Sequence, residues 1–240
     1  MRLLIKYASR GRPEMFMQAI TNIMATIWTT QFKIIVSADL DDETMNNDKI
    51  REFVAFYYPK VSIFYDDPVS KVDAINRDMP PVYDFDWLVN TSDDMQFSTI
   101  RWDELMVKSI KSVWGESLDF FAHFNDGFVA DKLPTMAIMG VDFFKRFYYI
   151  YHDSYKSVSC DAEQYWVAQM LGRYHYFPDI YFHHLHPANI RIPTDHVYLR
   201  NDKYDKEDTA NYFSRMRKLF NVENPVNIPT QLLAEIKHLK

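Results

Sequence analysis

The sequence is poor in cysteine and glycine and has no long apolar run. Cys160 is the single cysteine among 240 residues, which excludes an intrachain disulfide and a zinc site of several cysteines and fits a reducing compartment. Five glycines are too few for a phosphate-binding loop built from repeated glycines. No run approaches the roughly 18 apolar residues that a membrane span requires. We therefore expect a soluble, cytoplasmic protein without a transmembrane segment.

The charge balance does not favour a general affinity for nucleic acid. The chain carries 27 basic and 33 acidic residues, for a net charge of -6. Hydrophobic residues make up 48% and charged residues 25%, which is ordinary for a globular protein. The aromatic fraction of 16% is high, so we expect some aromatic side chains to line a binding cleft. The segment Met1–Tyr7 reads as a strand that begins at once, not as a signal peptide.

The first hundred residues alternate between strand and helix patterns. The predicted strands are Leu3–Ala8, Lys33–Ser37, Val61–Tyr65 and Trp87–Val89. The predicted helices cover 13–28, 48–58 and 69–77, the first of them with an apolar stripe of helical period. This alternation predicts a parallel sheet with helices on its faces. Because a polar loop follows each strand, the polar side chains are expected to collect at one edge of the sheet.

The second half of the chain is less regular. Helices are predicted over 102–114, 159–171, 206–220 and 229–239, with Ser159 as the cap of the second. Strands are predicted over 118–123 and 179–182, a strand or loop over 133–139, and a loop over 193–205. The aromatic stretch 143–151 belongs either to the core or to a platform for a sugar. Asn125–Gly127 reads as a turn or as part of an acceptor cleft.

Two adjacent carboxylates, Asp93 and Asp94, follow the strand that begins at Trp87. Ligands bind at the carboxyl ends of strands in open α/β sheets, and burying unpaired charge is unfavourable. A hard divalent cation that also holds substrate phosphates would give both acids a function. The alternative is a surface turn in which Thr91 or Ser92 caps a following helix.

The other polar candidates each have a structural alternative. Arg10 and Arg12 either contact a base or phosphates or are simply solvated. The loop of Asp39, Asp41 and Asp42 is mostly solvated acid, with Asp39 the favoured contact. Lys71 is either a diphosphate contact or a surface lysine, and the histidines 183, 184 and 186 are metal ligands or structural.

Taken in order, these segments resemble GT-A glycosyltransferases, most closely the large inverting family-two-like group. The resemblance is carried by Ser9-Arg10-Gly11-Arg12-Pro13, Asp39, Lys71-Val72-Asp73-Ala74-Ile75-Asn76, Ser92-Asp93-Asp94, Asp161 and His184-x-His186, between residues 3 and 187. It implies an α/β, Rossmann-like GT-A fold with a mixed, mostly parallel sheet flanked by helices, and a C-terminal helical extension. Residues 1–190 would form the catalytic domain, with 1–100 binding the nucleotide sugar and 101–190 the acceptor, and 191–240 would be the extension.

The resemblance also implies residue roles. The donor, with a UDP-sugar as first choice, would be held by Ser9, Arg10, Arg12, Asp39, Lys71, Asn76 and Asp93. Asp94 would bind Mn²⁺ or Mg²⁺ together with His186 or, failing that, His184. Asp161 would be the catalytic base, with Glu163 in reserve.

Ser92 departs from the family pattern, because it stands where the first acid of the Asp-x-Asp motif is expected. The leading interpretation is a metal-dependent, inverting hexosyl- or pentosyltransferase. The alternatives are a sugar nucleotidyltransferase, which would want a glycine-rich loop after the first strand, and a non-catalytic nucleotide-sugar-binding module. The acceptor stays open among a glycan, a protein, a small molecule and a modified nucleic-acid base.

Overall fold

The computed structural model describes residues 1–81, 84–190 and 195–239. The strands are β1 Leu3–Ala8, β2 Phe32–Asp39, β3 Val61–Asp66, β4 Trp87–Thr91, β5 Met95–Phe97, β6 Phe121–Asn125, β7 Ile138–Gly140, β8 Tyr174–Ile180 and β9 Phe182–His184. The helices are α1 Pro13–Thr26, α2 Asp48–Phe56, α3 Lys71–Asn76, α4 Trp102–Trp114, α5 Val141–Phe144, α6 Cys160–Met170, α7 Pro187–Ile190, α8 His196–Asp202, α9 Asp205–Met216 and α10 Thr230–His238. Short 3₁₀ turns cover Ala130–Lys132 and Leu219–Asn221.

Seven strands form one sheet in the order β3-β2-β1-β4-β7-β6-β8. The pairs β2–β3, β1–β2, β1–β4 and β6–β8 are parallel, whereas β7 runs antiparallel to both of its neighbours. The other six strands therefore point their carboxyl ends to the same edge. The predicted fold class, a mixed and mostly parallel sheet flanked by helices, is confirmed.

Both faces of the sheet are buried, which explains why its strands are continuously apolar. In β1 the side chains of Leu3, Ile5 and Tyr7 face one core cluster and that of Leu4 faces the other. This follows from the period of two residues along a strand. Helices α1, α2 and α4 cover the first face, and α3, α5, α6, α9 and α10 contribute to the second.

A separate two-stranded ribbon of β5 and β9 stands beside the sheet edge. Its register pairs Met95 with His184 and Phe97 with Phe182, in antiparallel order. Asn22 of α1 fastens the ribbon, because its side chain accepts from the Phe97 N–H at 2.8 Å and donates to the Phe97 carbonyl at 2.9 Å. The ribbon thus fixes the chain that leaves β4 against the chain that leaves β8.

Several sequence predictions for the second half need correction. Ser159 precedes α6 with φ +63° and makes no capping hydrogen bond with its side chain. The predicted loop over 193–205 contains α8, and its first two residues lie outside the described ranges. The strand predicted from Leu118 begins at Phe121. In the described part of the chain, no helix has the length and apolar character to cross a bilayer.

Candidate active site

Three polar loops meet where parallel strands end. Ser9 directly follows β1, Asp39 is the last residue of β2, and Asp93 and Asp94 lie just beyond β4. Because β1 lies between β2 and β4, these strand ends are neighbours. The loops form the crevice in which an open α/β sheet binds its ligands.

The acid pair is buried. Asp93 is 9% and Asp94 is 5% exposed. After them the chain enters β5 and not a helix, so the interpretation of a surface turn that caps a helix is wrong. Two buried neighbouring carboxylates need partners that hold their charge.

Asp93 is held by the loop that follows β1. The Ser9 hydroxyl donates to its two carboxylate oxygens at 3.0 and 3.1 Å. Burial raises the pKa of Asp93 to about 7, against the lowering effect of the Ser9 hydrogen bond. Asp93 therefore keeps its proton to near-neutral pH.

Asp94 is the ionised member of the pair. Burial works to raise its pKa, but the neighbouring His184 and the hydroxyls of Ser92 and Tyr198 outweigh burial and hold the pKa well below its usual range. The Tyr198 hydroxyl donates to Oδ2 and the Ser92 hydroxyl to Oδ1. No lysine or arginine among the described residues lies within ion-pair distance of Asp94, so its charge has no full cationic partner.

The three candidate histidines, His183, His184 and His186, have different neighbours. The Nε2 atom of His184 lies 3.5 Å from Asp94 Oδ2, and its Nδ1 atom lies 3.8 Å from Asp126 Oδ2. The ring of His183 instead faces Phe128, at 6.2 Å between centroids. His186 packs its ring on Tyr198 at 4.6 Å, and burial lowers the pKa of His186. Of the two predicted metal-binding histidines, His184 is thus the one beside Asp94.

Arginines surround the acidic loop after β2. Arg10 donates to Asp39 at 2.7 Å and also contacts Asp41. Arg77 donates to Asp39 at 2.9 Å, and Arg200 lies 3.8 Å away from it. Asp39 is therefore compensated by several guanidinium groups, of which Arg10 was predicted to belong to the site.

Arg12 is a buried cation with an acidic partner from the far end of the chain. It donates to both oxygens of Asp195, at 2.7 and 2.8 Å. Its guanidinium carbon also lies 4.3 Å from the centre of the Tyr198 ring. The predicted alternative that Arg12 is simply solvated is therefore wrong, since the residue is only 9% exposed.

Helix α3 contributes Lys71 and Asn76 in different ways. Lys71 is exposed, and its charge acts on Asp161. The Asn76 amide donates to the Tyr151 carbonyl at 2.6 Å and accepts from the Ile150 N–H at 2.9 Å. Asn76 thus anchors α3 to the segment before α6.

The two carboxylates predicted for catalysis have different surroundings. Burial raises the pKa of Asp161, and the charges of Lys71 and His184 oppose this. Glu163 is 3% exposed and accepts from Arg215 at 2.6 Å through each of its oxygens. Both oxygens of Glu163 are therefore occupied by an arginine, whereas Asp161 makes no such ion pair among the described residues.

The residues at the acid site fit a divalent cation that a substrate would help to hold. In the described ranges no three His, Cys, Asp or Glu side chains form a ready metal cluster. Asp94 and His184, with donor atoms 3.5 Å apart, fit two ligands, because ligands at about 2.1 Å from one ion lie roughly 3–3.5 Å apart. Mg²⁺ is commonly held by one or two carboxylates together with phosphates of the substrate. The buried Nδ1 atom of His184 makes no hydrogen bond with the described residues.

Sequence reasoning missed Tyr198, Asp195 and Arg77. Asp195 directly precedes α8 as its N-cap and accepts from the N–H groups of Val197 and Tyr198 at 3.0 and 3.1 Å. An Asp directly before His-Val-Tyr-Leu is a local signal from which helix α8 could have been predicted. The contacts of Tyr198 and Arg77 leave no signal in a single sequence, because their partners are distant along the chain.

Comparisons with known proteins give the fold. No protein-family model and no curated protein matches the chain. The mannosyltransferase PcManGT from Pyrobaculum calidifontis, in complex with GDP-Man and Mn²⁺, is 12% identical with a TM-score of 0.65, covering 99% of this chain and 68% of that one. TarS of S. aureus is 13% identical with a TM-score of 0.63, and the match covers 99% of this chain but only 43% of that chain.

A shorter TarS structure, residues 1–349 in complex with UDP-GlcNAc, gives a TM-score of 0.60 at 13% identity and covers 72% of that chain. The 4-diphosphocytidyl-2C-methyl-D-erythritol synthase from Anaerococcus prevotii DSM 20548 also matches, with a TM-score of 0.52 at 12% identity over 85% of this chain and 96% of that one. The chain therefore has a GT-A-like fold, as the sequence predicted.

Proposed function

We propose that this chain is a metal-dependent glycosyltransferase that moves a hexosyl or pentosyl group from a nucleoside-diphosphate sugar to an acceptor hydroxyl, with inversion. The observation that carries the proposal is Asp94, a buried and ionised carboxylate at the sheet edge without a lysine or arginine partner among the described residues. A bound Mn²⁺ or Mg²⁺ neutralises the charge that develops on a leaving diphosphate. Asp94 and His184 would hold the ion, with His186 as the alternative imidazole.

The donor would lie across the ends of β1, β2 and β4. We assign Asp39 and Arg10 to the nucleoside, Arg12 and Lys71 to the phosphates, and the Ser9–Asp93 pair to the ribose or sugar. Asn76 would support this site by fixing α3 and hence Lys71. A UDP-sugar is our first choice of donor. Residues 1–190 would be the catalytic domain and 191–240 an extension.

Asp161 is the proposed base. The acceptor hydroxyl would attack the anomeric carbon opposite the diphosphate and pass its proton to the Asp161 carboxylate, while the bond to the diphosphate breaks. Burial raises the pKa of Asp161, which suits a carboxylate that must accept a proton. We choose Asp161 over Glu163 because both Glu163 oxygens already accept from Arg215.

Binding of UDP and GDP, measured by calorimetry with Mn²⁺ and again with EDTA, tests the metal part of the proposal. Binding should be weak in EDTA and much tighter with Mn²⁺. Release of sugar from a panel of nucleotide sugars tests turnover, and its absence would favour a non-catalytic binding module. Equal affinity in EDTA and Mn²⁺ would contradict metal dependence.

A variant separates the base from the donor site. Asp161→Asn should keep Mn²⁺-dependent UDP binding and lower sugar transfer about 10²- to 10⁴-fold. Transfer near the wild-type rate would remove Asp161 from the mechanism. A nucleotidyltransferase would instead consume a nucleoside triphosphate and a sugar phosphate and release pyrophosphate, so that assay is run in parallel. The β1 loop disfavours this alternative, because Gly11 is its single glycine.

A further inference from the structure

The segment Asp195–Asp202, here called the strap, lies across the loops of the candidate site. Asp195 binds Arg12 of the first loop through two hydrogen bonds of 2.7 and 2.8 Å. Tyr198 donates to Asp94 in the acid pair. Arg200 lies 3.8 Å from Asp39 in the second loop. One short segment therefore reaches all three elements to which we assigned the donor.

The strap also closes over Gly11. A Cβ atom at this glycine, which has φ +69°, would lie 2.5 Å from Nε2 of His196. The backbone of the first loop and the strap are therefore in close approach at the point where a phosphate group would need access.

The strap is held by polar contacts and not by a hydrophobic core. Helix α8 has no buried residue, and Leu199 is 64% exposed. Lifting the strap would therefore expose little apolar surface, and burial of apolar surface is the main force that keeps a segment in place. Segments with few buried apolar contacts open at the low end of the local stability range.

The chemistry of these contacts matches that of the proposed ligands. The Asp195 carboxylate occupies both donors of the Arg12 fork that a phosphate would use. The Tyr198 hydroxyl contacts Oδ2 of Asp94, the same oxygen that lies 3.5 Å from His184. A cation between Asp94 and His184 would bind through that oxygen, and the Tyr198 hydroxyl already takes one of its two lone pairs.

We propose that the strap is an internal occupant of the donor site, which has to be displaced before a divalent cation and a diphosphate bind. The proposal rests on the proposed function, because it takes the acid pair as the metal site. Displacement frees Asp94 from Tyr198 and Arg12 from Asp195 together. The affinity of the ligand-free protein for either ligand is then lowered by the fraction of molecules in which the strap is closed.

Titration with Mn²⁺ alone, followed through the electron paramagnetic resonance of the free ion, tests the proposal. Tyr198→Phe should bind Mn²⁺ about tenfold tighter than the wild type, which is the factor a hydrogen bond to a charged group commonly carries. Tyr204→Phe, which removes a hydroxyl just beyond the strap, is the matched control and should bind as the wild type does. Asp94→Asn should bind no Mn²⁺ at this site.

A second measurement follows the strap directly. Backbone hydrogen exchange of residues 195–202 should become faster when Mn²⁺ and UDP are added to the wild type, because the ligands displace the strap. In Asp195→Asn, exchange should be fast before ligand is added. Slower exchange on ligand addition would overturn the proposal, since the strap would then close on the ligand.

The outcomes separate the two proposals. Equal or weaker Mn²⁺ binding by Tyr198→Phe, with binding lost in Asp94→Asn, overturns the strap and leaves the proposed function standing. Tighter binding by Tyr198→Phe without turnover of any nucleotide sugar supports the strap and contradicts the enzyme. No Mn²⁺ binding by any variant, either alone or with saturating UDP, overturns both.

Discussion

Asp94 and Glu163 are two buried carboxylates that each accept a hydrogen bond from a tyrosine, but their other partners differ. Glu163 accepts from the Tyr155 hydroxyl at 2.8 Å and from two guanidinium nitrogens of Arg215, each at 2.6 Å. Asp94 accepts from the hydroxyls of Ser92 and Tyr198 and has an imidazole 3.5 Å away. The charge of Glu163 is paired with an arginine, whereas that of Asp94 is held by two hydroxyls and an imidazole, without a lysine or arginine among the described residues.

This difference distinguishes a structural carboxylate from one that is available to a ligand. A buried ion pair with both partners present holds two elements together, here α6 and α9. A buried carboxylate held by hydroxyls and an imidazole has no guanidinium or ammonium partner to displace, so an incoming cation can bind it. Burial alone therefore does not identify a functional acid in this chain, and the identity of the partners does.

Removing the charge of Glu163 should give the largest effect on stability. Glu163→Gln leaves the largely buried Arg215, 13% exposed, without its counter-ion, so the free energy of unfolding should fall by about 3 kcal/mol. Urea unfolding followed by circular dichroism measures the loss. The control is Glu104→Gln, whose carboxylate is 46% exposed and pairs with Arg101. If the loss for Glu163→Gln is no larger than for the control, the buried ion pair does not hold α6 and α9 together as we infer.

The same change at Asp94 should act mainly on binding and should cost less stability than at Glu163. The low pKa of Asp94 means that the fold stabilises its charge, so Asp94→Asn should lower the unfolding free energy, but by less than Glu163→Gln because no arginine is left without its counter-ion. Affinity for UDP in Mn²⁺ should fall about 100-fold or more, since even indirect metal contacts carry 10- to 100-fold effects. Asp142→Asn, with a carboxylate 56% exposed, is the control for calorimetry and unfolding. A loss of stability as large as that of Glu163→Gln would mean that Asp94, like Glu163, is a structural carboxylate.

Lys6 extends the comparison to a buried cation. It is fully buried, and its ammonium donates to the Ser37 hydroxyl at 2.5 Å and to the Ala74 carbonyl at 3.1 Å. Burial lowers the pKa of Lys6 to about 7, with nearby Asp78 opposing. Like Asp94, Lys6 makes its direct hydrogen bonds with neutral groups and not with a fully charged side chain.

Lys6 should therefore make stability depend on pH in the alkaline range. Between about pH 7 and the unfolded pKa near 10.4, the unfolded chain binds one proton more than the folded chain, so stability rises with pH. From pH 7 to 9 the gain should be about 2–3 kcal/mol in urea unfolding. Lys6→Met should abolish the rise, and the exposed Lys108→Met should retain it. An unchanged rise in Lys6→Met would assign it to another group.

Asp119 gives the smallest expected effect. Its carboxylate accepts from Arg146 at 2.8 Å and from Arg173 at 2.7 Å, but its side chain is 20% and both arginines are 39% exposed. Solvent screens such pairs, so Asp119→Asn should lower the unfolding free energy by about 1 kcal/mol. A loss equal to that of Glu163→Gln would mean that the number of cationic partners, and not their burial, decides the effect.

The first half of the fold was predictable because its information is local. Strand β1 has the predicted bounds Leu3–Ala8, and α1 ends two residues before the predicted end. Apolar strands buried on both faces and a helix with an apolar stripe leave clear patterns. The position of Asp93 and Asp94 at the sheet edge follows from the same patterns.

The remainder depends on contacts between distant residues. The pairing of Met95 with His184, which decides that His184 lies beside Asp94, has no local signal. The Arg215 partner that occupies Glu163 lies on another helix, 52 residues away. Because a loop is predicted over 193–205, the sequence does not indicate that Tyr198 belongs to the site. The roles assigned to the donor, metal and catalytic residues stay predictions.

The antiparallel ribbon of β5 and β9 has a consequence for the order in which the protein folds. The site joins residues far apart along the chain: the ribbon pairs Met95 with His184, and Ser9 bonds to Asp93 across 84 positions. Closing such long loops is entropically unfavourable, and these contacts form only after both segments exist. On the ribosome, the acids at the end of β4 emerge long before the strand that orients them. Binding competence is therefore acquired late in synthesis, after most of the sheet is available to fold.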